Sequence, residues 1–169
     1  WDESLPARTL RWQIEEIDYT LINFPARGVN GPLGYDLMGL KRLAETIGEP
    51  GAVESLSWQE EGITLAGAEA QAGFSFSLAA KIPVGLGLYK TTYNSQYNAI
   101  CQYYRSKNDD LAAPALVIAQ STWALPGMDD LQSKAYFGDQ PVTLAASEEV
   151  LPLRGANGGL GTLIETGLQ

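Results

Sequence analysis

The 169-residue chain contains no histidine and a single cysteine, Cys101. Histidine is the one side chain that gains and loses a proton near neutrality without help. Its absence excludes Ser-His-Asp and Cys-His relays, and with them ordinary zinc and non-haem iron sites. A lone cysteine closes no internal disulfide, which excludes the stapled scaffolds of small secreted domains. No apolar run reaches the roughly 18 residues of a spanning helix. Basic residues are scarce as well, 11 against 20 acidic, leaving a net charge of -9. Such a surface repels phosphate backbones and anionic lipid heads, so neither nucleic acid nor a membrane surface is an expected partner. Carboxylates, lysines, tyrosines and backbone are what remain for chemistry. The expectation is a domain that binds or assembles, with no catalytic residues and no cofactor.

What is present is the material of a folded domain: 45% hydrophobic residues and four tryptophans, in a length that buries a proper core. The first residue is Trp1 rather than methionine. That reads as the trace of a removed leader or membrane anchor. It points to a periplasmic or otherwise extracytoplasmic protein, held to a membrane only through a segment absent from this chain.

The amino-terminal segment opens with Ser4 as a helix cap and Pro6 in the first turn. Leu10, Ile14, Ile17 and Leu21 then recur at spacings of four, three and four, with Glu15, Glu16 and Asp18 on the other side. This predicts an amphipathic helix whose narrow apolar stripe resembles a pairing seam. An alternative is that Tyr19 to Phe24, rich in β-formers, leaves the helix and becomes a strand. A turn at Val29-Asn30-Gly31-Pro32 closes this unit, residues 1–31.

Residues 32–152 read as a single α+β domain. Leu37, Leu40, Leu43, Ala44 and Ile47 share a helical face that Gly48 and Pro50 terminate. Val53 to Trp58 and Ile63 to Ala68, around Gln59-Glu60-Glu61-Gly62, predict a hairpin. Phe74, Phe76, Leu78, Ala80 and Ile82 alternate with polar or small residues and add a third strand, making an antiparallel meander. A further helix is expected over Thr92 to Ser106, and short strands at Ala115 to Ala119 and Val142 to Ala146. The glycine-rich residues 153–169 read as a poorly fixed tail. Gly155 to Thr162 lacks the lysine of a nucleotide-binding loop and reads as a connector.

Cys101 falls mid-helix on an apolar stripe, the setting of a packed core thiol. The acidic doublets lie mostly in turns and read as solvated charge. Asp129-Asp130 near Trp123 is the exception, because an aromatic ring beside carboxylates is how a sugar site is built. Tyr103 and Tyr104 cannot both face a core. At least one is expected at the surface, where tyrosine favours protein contacts.

The succession Leu10-Arg-Trp-Gln-Ile-Glu-Glu-Ile-Asp18, the turn at Phe24-Pro25, the helix from Leu37 to Ile47, the strand Val53 to Trp58 and its partner Gly62 to Gly67 resembles a known layout. It is that of the periplasmic half of inner-membrane accessory proteins of type IV pilus and type II secretion machines (PilO-like). The resemblance covers about the first 70 residues and rests on layout. It implies a ferredoxin-like core, dimerisation, and no site residues to carry over.

The leading expectation is therefore a non-catalytic assembly domain whose partner is a protein, including a second copy of itself. Leu10, Ile14, Ile17 and Leu21 would form its seam, and Tyr103 and Tyr104 would supply exposed aromatic contacts. The alternatives are a carbohydrate-binding or carboxylate-based glycan-active domain centred on Trp123, Asp129 and Asp130, and a carrier of a small apolar ligand inside the meander.

Overall fold

The computed structural model describes residues 7–23, 26–28, 31–33, 37–49, 61–80, 82–83, 85–106, 115–123, 144–154 and 159–168. Its centre is a hairpin. Strands β1 (Ala7–Ile14) and β2 (Ile17–Asn23) pair antiparallel across a two-residue turn at Glu15-Glu16. Leu10 lies opposite Leu21, Trp12 opposite Tyr19 and Ile14 opposite Ile17. Side chains alternate along a strand, so all six share one face. Leu10, Trp12, Tyr19 and Leu21 are buried, with Ile14 and Ile17 packed against them. The Trp12 and Tyr19 rings stack at 5.2 Å.

This corrects the expectation of an amino-terminal amphipathic helix. Leu10, Ile14, Ile17 and Leu21 do share a face, but it is the inner face of a hairpin and not a seam open to a partner. The alternative of a strand from Tyr19 onward comes closer, since β2 runs from Ile17 to Asn23.

Short strands β3 (Ala26–Gly28) and β4 (Gly31–Leu33) pair with each other as a separate ribbon. Helix α1 (Leu37–Thr46) follows as expected. Leu40, Leu43, Ala44 and the adjoining Ile47 are buried against the hairpin face. The expected strand at 53–58 lies outside the described residues. In place of the second strand of that hairpin, the chain forms β5 (Glu61–Gly62) and helix α2 (Leu65–Ala72). The reason is capping. The Thr64 hydroxyl accepts the Gly67 N–H, and Gly73, at a φ of 75°, donates its N–H to the Glu69 carbonyl. Those two caps bracket an alanine-rich run of high helix propensity.

The segment 74–80 does not keep the expected alternation: Phe76 is buried, but so is Ala79 of the face expected to be wet, while Phe74, Leu78 and Ala80 are half-buried. It joins no described strand of the sheet and makes one isolated bridge, Ala79 with Ile47. Its hydrogen bonds go to α1's end and to side chains, including the Glu69 carboxylate, which accepts the Phe76 N–H at 2.9 Å. The Gly48 N–H donates to the Leu78 carbonyl, while Gln120 accepts the Ser77 N–H and donates to the Ser77 carbonyl at 2.9 and 2.7 Å.

The helix expected over 92–106 is two strands, β6 (Leu86–Asn94) and β7 (Ala99–Ser106). β-Branched and aromatic residues suit a pleated surface better than a helix. Asn98, at a φ of 46°, closes the turn between them, a conformation asparagine tolerates. Its amide donates to the Ala72 carbonyl of α2 and to the Thr122 hydroxyl, and its oxygen accepts the Tyr93 hydroxyl. The expected strand near 115–119 is β8 (Leu116–Ser121), and the one near 142–146 is β9 (Leu144–Leu153). The glycine-rich stretch read as a tail carries β10 (Gly159–Leu168).

One sheet results, in the order β5-β6-β7-β8-β2-β1-β10-β9, antiparallel throughout except for the parallel β5–β6 contact. Both helices contribute to the same core as the hairpin face. The class is α+β and sheet-dominated, and the described strands do not follow a ferredoxin-like order. The expected divisions at residues 31 and 153 do not divide the sheet, which takes strands from all three parts. Gly161 shows how closely it is filled: a Cβ there would meet the Leu10 Cδ1 at 2.9 Å and the Leu153 Cδ1 at 3.2 Å.

Glu15 holds a φ of 53° at the central turn, a left-handed conformation that costs a residue with a Cβ about 1–2 kcal/mol. Glu15→Gly should therefore raise the unfolding free energy by about 0.5–1 kcal/mol once the greater freedom of glycine in the unfolded chain is set against it. Urea unfolding of the two proteins checks this, and an unchanged or lower midpoint refutes it.

Candidate functional site

The two tyrosines singled out from sequence part company on β7. Tyr104 faces the helices and is buried, donating its hydroxyl to the Gln102 Oε1 at 2.7 Å. Tyr103 points to the opposite face, half-buried beside Ala99, Cys101 and Ala119. Its ring meets Tyr89 edge-on at 6.4 Å, and the Arg105 guanidinium lies 4.6 Å from the Tyr89 centroid. Cys101 is a buried free thiol on a strand, not in a helix, though the packed role expected of it holds. Burial pushes its pKa up to about 11, against hydrogen bonds from Tyr103 and Thr92. Burial likewise pushes the Tyr103 hydroxyl up to about 12, with Cys101 adding to the rise. Both groups are protonated at neutral pH. A thiol in that state is a poor nucleophile.

Trp123 stands at the end of β8, 55% exposed. Its backbone is fixed by Ser121, whose hydroxyl donates to the Trp123 carbonyl at 2.7 Å and accepts its N–H at 3.1 Å. Asp129 and Asp130 lie outside the described residues. Sequence reasoning passed over a different carboxylate, Asp18, which sits opposite Ser121 in the β2–β8 register. Burial raises the Asp18 pKa while the Arg11 guanidinium opposes the rise. Only a strand reading of residues 17–23 brings Asp18 toward Trp123.

Among the described residues, two buried donors on the core face have no hydrogen-bond partner, the Trp12 Nε1 and the Gln102 Nε2. They lie on β1 and β7, with β2 and β8 between them, so no single acceptor atom serves both. No cluster of metal-ligating side chains occurs among the described residues.

The most exposed apolar surface among the described residues lies elsewhere, on the β9–β10 ribbon at the end of the sheet. Val150 is 61% and Leu160 70% exposed. Leu160 is paired with the exposed Pro152, and Val150 with Thr162. These four positions share one face of the ribbon. Leu151 and Leu153, at the alternate positions, pack into the core. Sequence reading missed this surface because it treated residues 153–169 as a tail. The available signal was the alternation of Glu148, Val150 and Pro152 with Leu151 and Leu153.

The raised pKa values of Cys101 and Tyr103 set the alkaline behaviour. The unfolded chain releases these protons from about pH 9 and 10, the folded chain only near 11 and 12. Between those limits the unfolded state binds fewer protons, so stability falls as pH rises. Urea midpoints measured from pH 8 to 10.5 should decline, and Cys101→Ala should flatten the decline between pH 9 and 10. Equal slopes in the two proteins would exclude Cys101 as its source.

No protein-family model, no curated protein and no solved structure matches this chain.

Proposed function

We propose that this chain is a non-catalytic interaction domain that assembles through the outer face and open edge of the β9–β10 ribbon. The observation that carries the reading is the pair Val150 and Leu160, large apolar side chains exposed on one face of a regular two-strand surface. Apolar side chains grouped on a rigid face are what a contact site offers. The seam expected at Leu10, Ile14, Ile17 and Leu21 is taken up by the core, so the contact surface moves to the far end of the sheet. The other chemistry-bearing residues support a binding role: Cys101 and Tyr103 are held protonated within packing. A buried thiol of this kind is also chemically quiet in an oxidising compartment, which suits the extracytoplasmic setting included in the proposal.

A photo-crosslinking amino acid at position 160, introduced in cells that produce the protein, should yield a covalent protein adduct on illumination. The same group at the exposed Gln71 of α2 should yield little. No adduct at 160, or equal adducts at both positions, would overturn the assignment of this face.

A second reading, a carbohydrate-binding domain, is favoured by one arrangement: the exposed Trp123 lies two residues past Ser121, the β8 partner of Asp18, whose carboxyl pKa is raised. Under it, Trp123→Ala abolishes and Asp18→Asn weakens retention on a glycan array. An array that retains nothing, or retains the Trp123→Ala protein equally, removes it.

A further inference from the structure

The two ends of the sheet are finished differently. At one end β6 is covered by β5, only two residues long. Gly62 there lies so close to the Thr91 carbonyl that no Cβ would fit, and α2 packs alongside. At the other end β9 presents ten residues, and no described strand lies beyond it. Natural sheets blunt their edges, because an open row of N–H and C=O groups is a template for another strand.

Pro152 tells which backbone groups are open. Proline has no N–H, and in an edge strand its nitrogen faces away from the neighbour. The N–H and C=O of one residue in an antiparallel strand point to the same side, and the side alternates. With Pro152 facing outward, Val150, Glu148, Ala146 and Leu144 face outward as well. The open ladder therefore runs from Leu144 to Val150 and ends at Pro152.

The sequence of that stretch, Leu-Ala-Ala-Ser-Glu-Glu-Val, can be set against itself in few ways. A two-fold axis at Glu148 or Glu149 places like charges directly opposite one another, which is destabilising. An axis at Val150 brings Pro152 into the ladder, where each copy loses a hydrogen bond. An axis at Ser147 avoids both faults and pairs the whole run from Leu144 to Val150, whereas an axis at Ala146 pairs only Leu144 to Glu148 within β9. It sets Val150 opposite Leu144 of the partner subunit, Glu149 opposite Ala145 of the partner subunit and Glu148 opposite Ala146 of the partner subunit. Both prolines stay outside the ladder. The exposed Val150, Pro152 and Leu160 faces then continue across the junction.

We infer that the chain forms a two-fold dimer by antiparallel β9–β9 pairing centred on Ser147, joining two sheets into one. This rests on the reading of the ribbon as a contact surface and names a second copy as its occupant. The contact is isologous, so it closes at two copies.

The position on the axis gives the test. Ser147 faces Ser147 of the partner subunit at a site without backbone hydrogen bonds, where Cα atoms approach to about 4.5 Å, within the reach of a disulfide. Under mild oxidation Ser147→Cys should become a linked dimer for more than about half the protein. Glu149→Cys, displaced from its own copy along the strand, should stay almost wholly unlinked. If Ser147→Cys proves unstable, a mixture of Ala145→Cys and Glu149→Cys proteins should link to each other. Light scattering should give the parent protein twice the mass of a Val150→Lys variant whose circular dichroism is unchanged. A monomeric parent, or linkage as ready through Glu149→Cys alone as through Ser147→Cys, overturns the inference. If position 160 meanwhile crosslinks to a different protein, the contact surface stands and only its occupant changes. If position 160 gives no adduct while Ser147→Cys links, the paired edge stands and the reading of the outer face falls.

Discussion

The β1–β2 hairpin is the constraint on which the rest of the sheet depends. It occupies the middle of the strand order, with β8 added to β2 and β10 to β1. A two-residue turn brings its strands together at little entropic cost. The later strands return from much farther along the chain, and each needs a formed edge to receive it. What they meet is a preset register: Leu21 is paired with Ile118, and Leu10 with Leu163. The row Leu163, Leu10, Leu21, Ile118, Gln102 thus crosses five strands on the face that the helices cover. A one-residue slip at any of these ladders would turn an entire strand's apolar set outward. Each junction therefore reinforces the register of the next.

Polar groups fasten what the ladders leave unpaired. Gln120 is fully buried and supplies both hydrogen bonds to the backbone of Ser77, standing in for a strand partner. Asn98 joins the β6–β7 turn to the end of α2 and to Thr122 after β8. The Glu45 carboxylate of α1 accepts the Arg154 N–H at the end of β9. Each is a single side chain bridging elements distant in sequence. The Gln120 and Asn98 contacts are buried or half-buried, where losing a partner costs more than the bond itself contributes, while the Glu45–Arg154 bond lies at the surface. The helices and the segment between them are held on the sheet by these contacts together with the apolar core.

These arrangements explain which parts of the fold could be read from the residues. Spacings of four, three and four at Leu10, Ile14, Ile17 and Leu21 satisfy a helix. They are also symmetric about a turn between Glu15 and Glu16, which is the signature of a hairpin. Trp12 and Tyr19 separate the two, since a strand face includes them and the helical stripe does not. Glu-Glu is so poor a turn that it concealed the break. The same confusion of periods hid β6 and β7, where Ile100, Gln102 and Tyr104 alternate with Cys101 and Tyr103. Helix α1 was legible because its stripe is unambiguous and Gly48 stops it. Helix α2 was missed although Thr64 and Gly73 mark both its ends. Alternation at Phe74 to Ala80 found Phe76 but put Ala79 on the wrong face, because the segment is held by the side chain of Gln120 and the end of α1 rather than by a strand ladder. Of these residues, the sequence reading named Trp123. Asp18 and the Val150–Leu160 face depended on strands that the reading lacked.

Net charge bears on what the open edge can hold. At -9, two copies repel one another at long range, and salt screens that repulsion beyond about 10 Å at 0.1 M. Contact between copies rests on backbone pairing and on Val150 and Leu160, which salt leaves largely intact. Added salt therefore strengthens a self-paired edge. A basic partner on the same ribbon would be drawn by Glu148, Glu149 and the overall charge, and salt would weaken it. The register argument leans the same way. Glutamates that face alanines across a two-fold axis are kept apart from one another, whereas an edge evolved for a basic strand gains from charge along its whole length. Here the charges occupy two adjacent positions, and Leu144, Ala145, Ala146 and Val150 fill most of the rest. That distribution disfavours the registers that oppose glutamates, and of those it leaves, the pairing about Ser147 is the longest within β9.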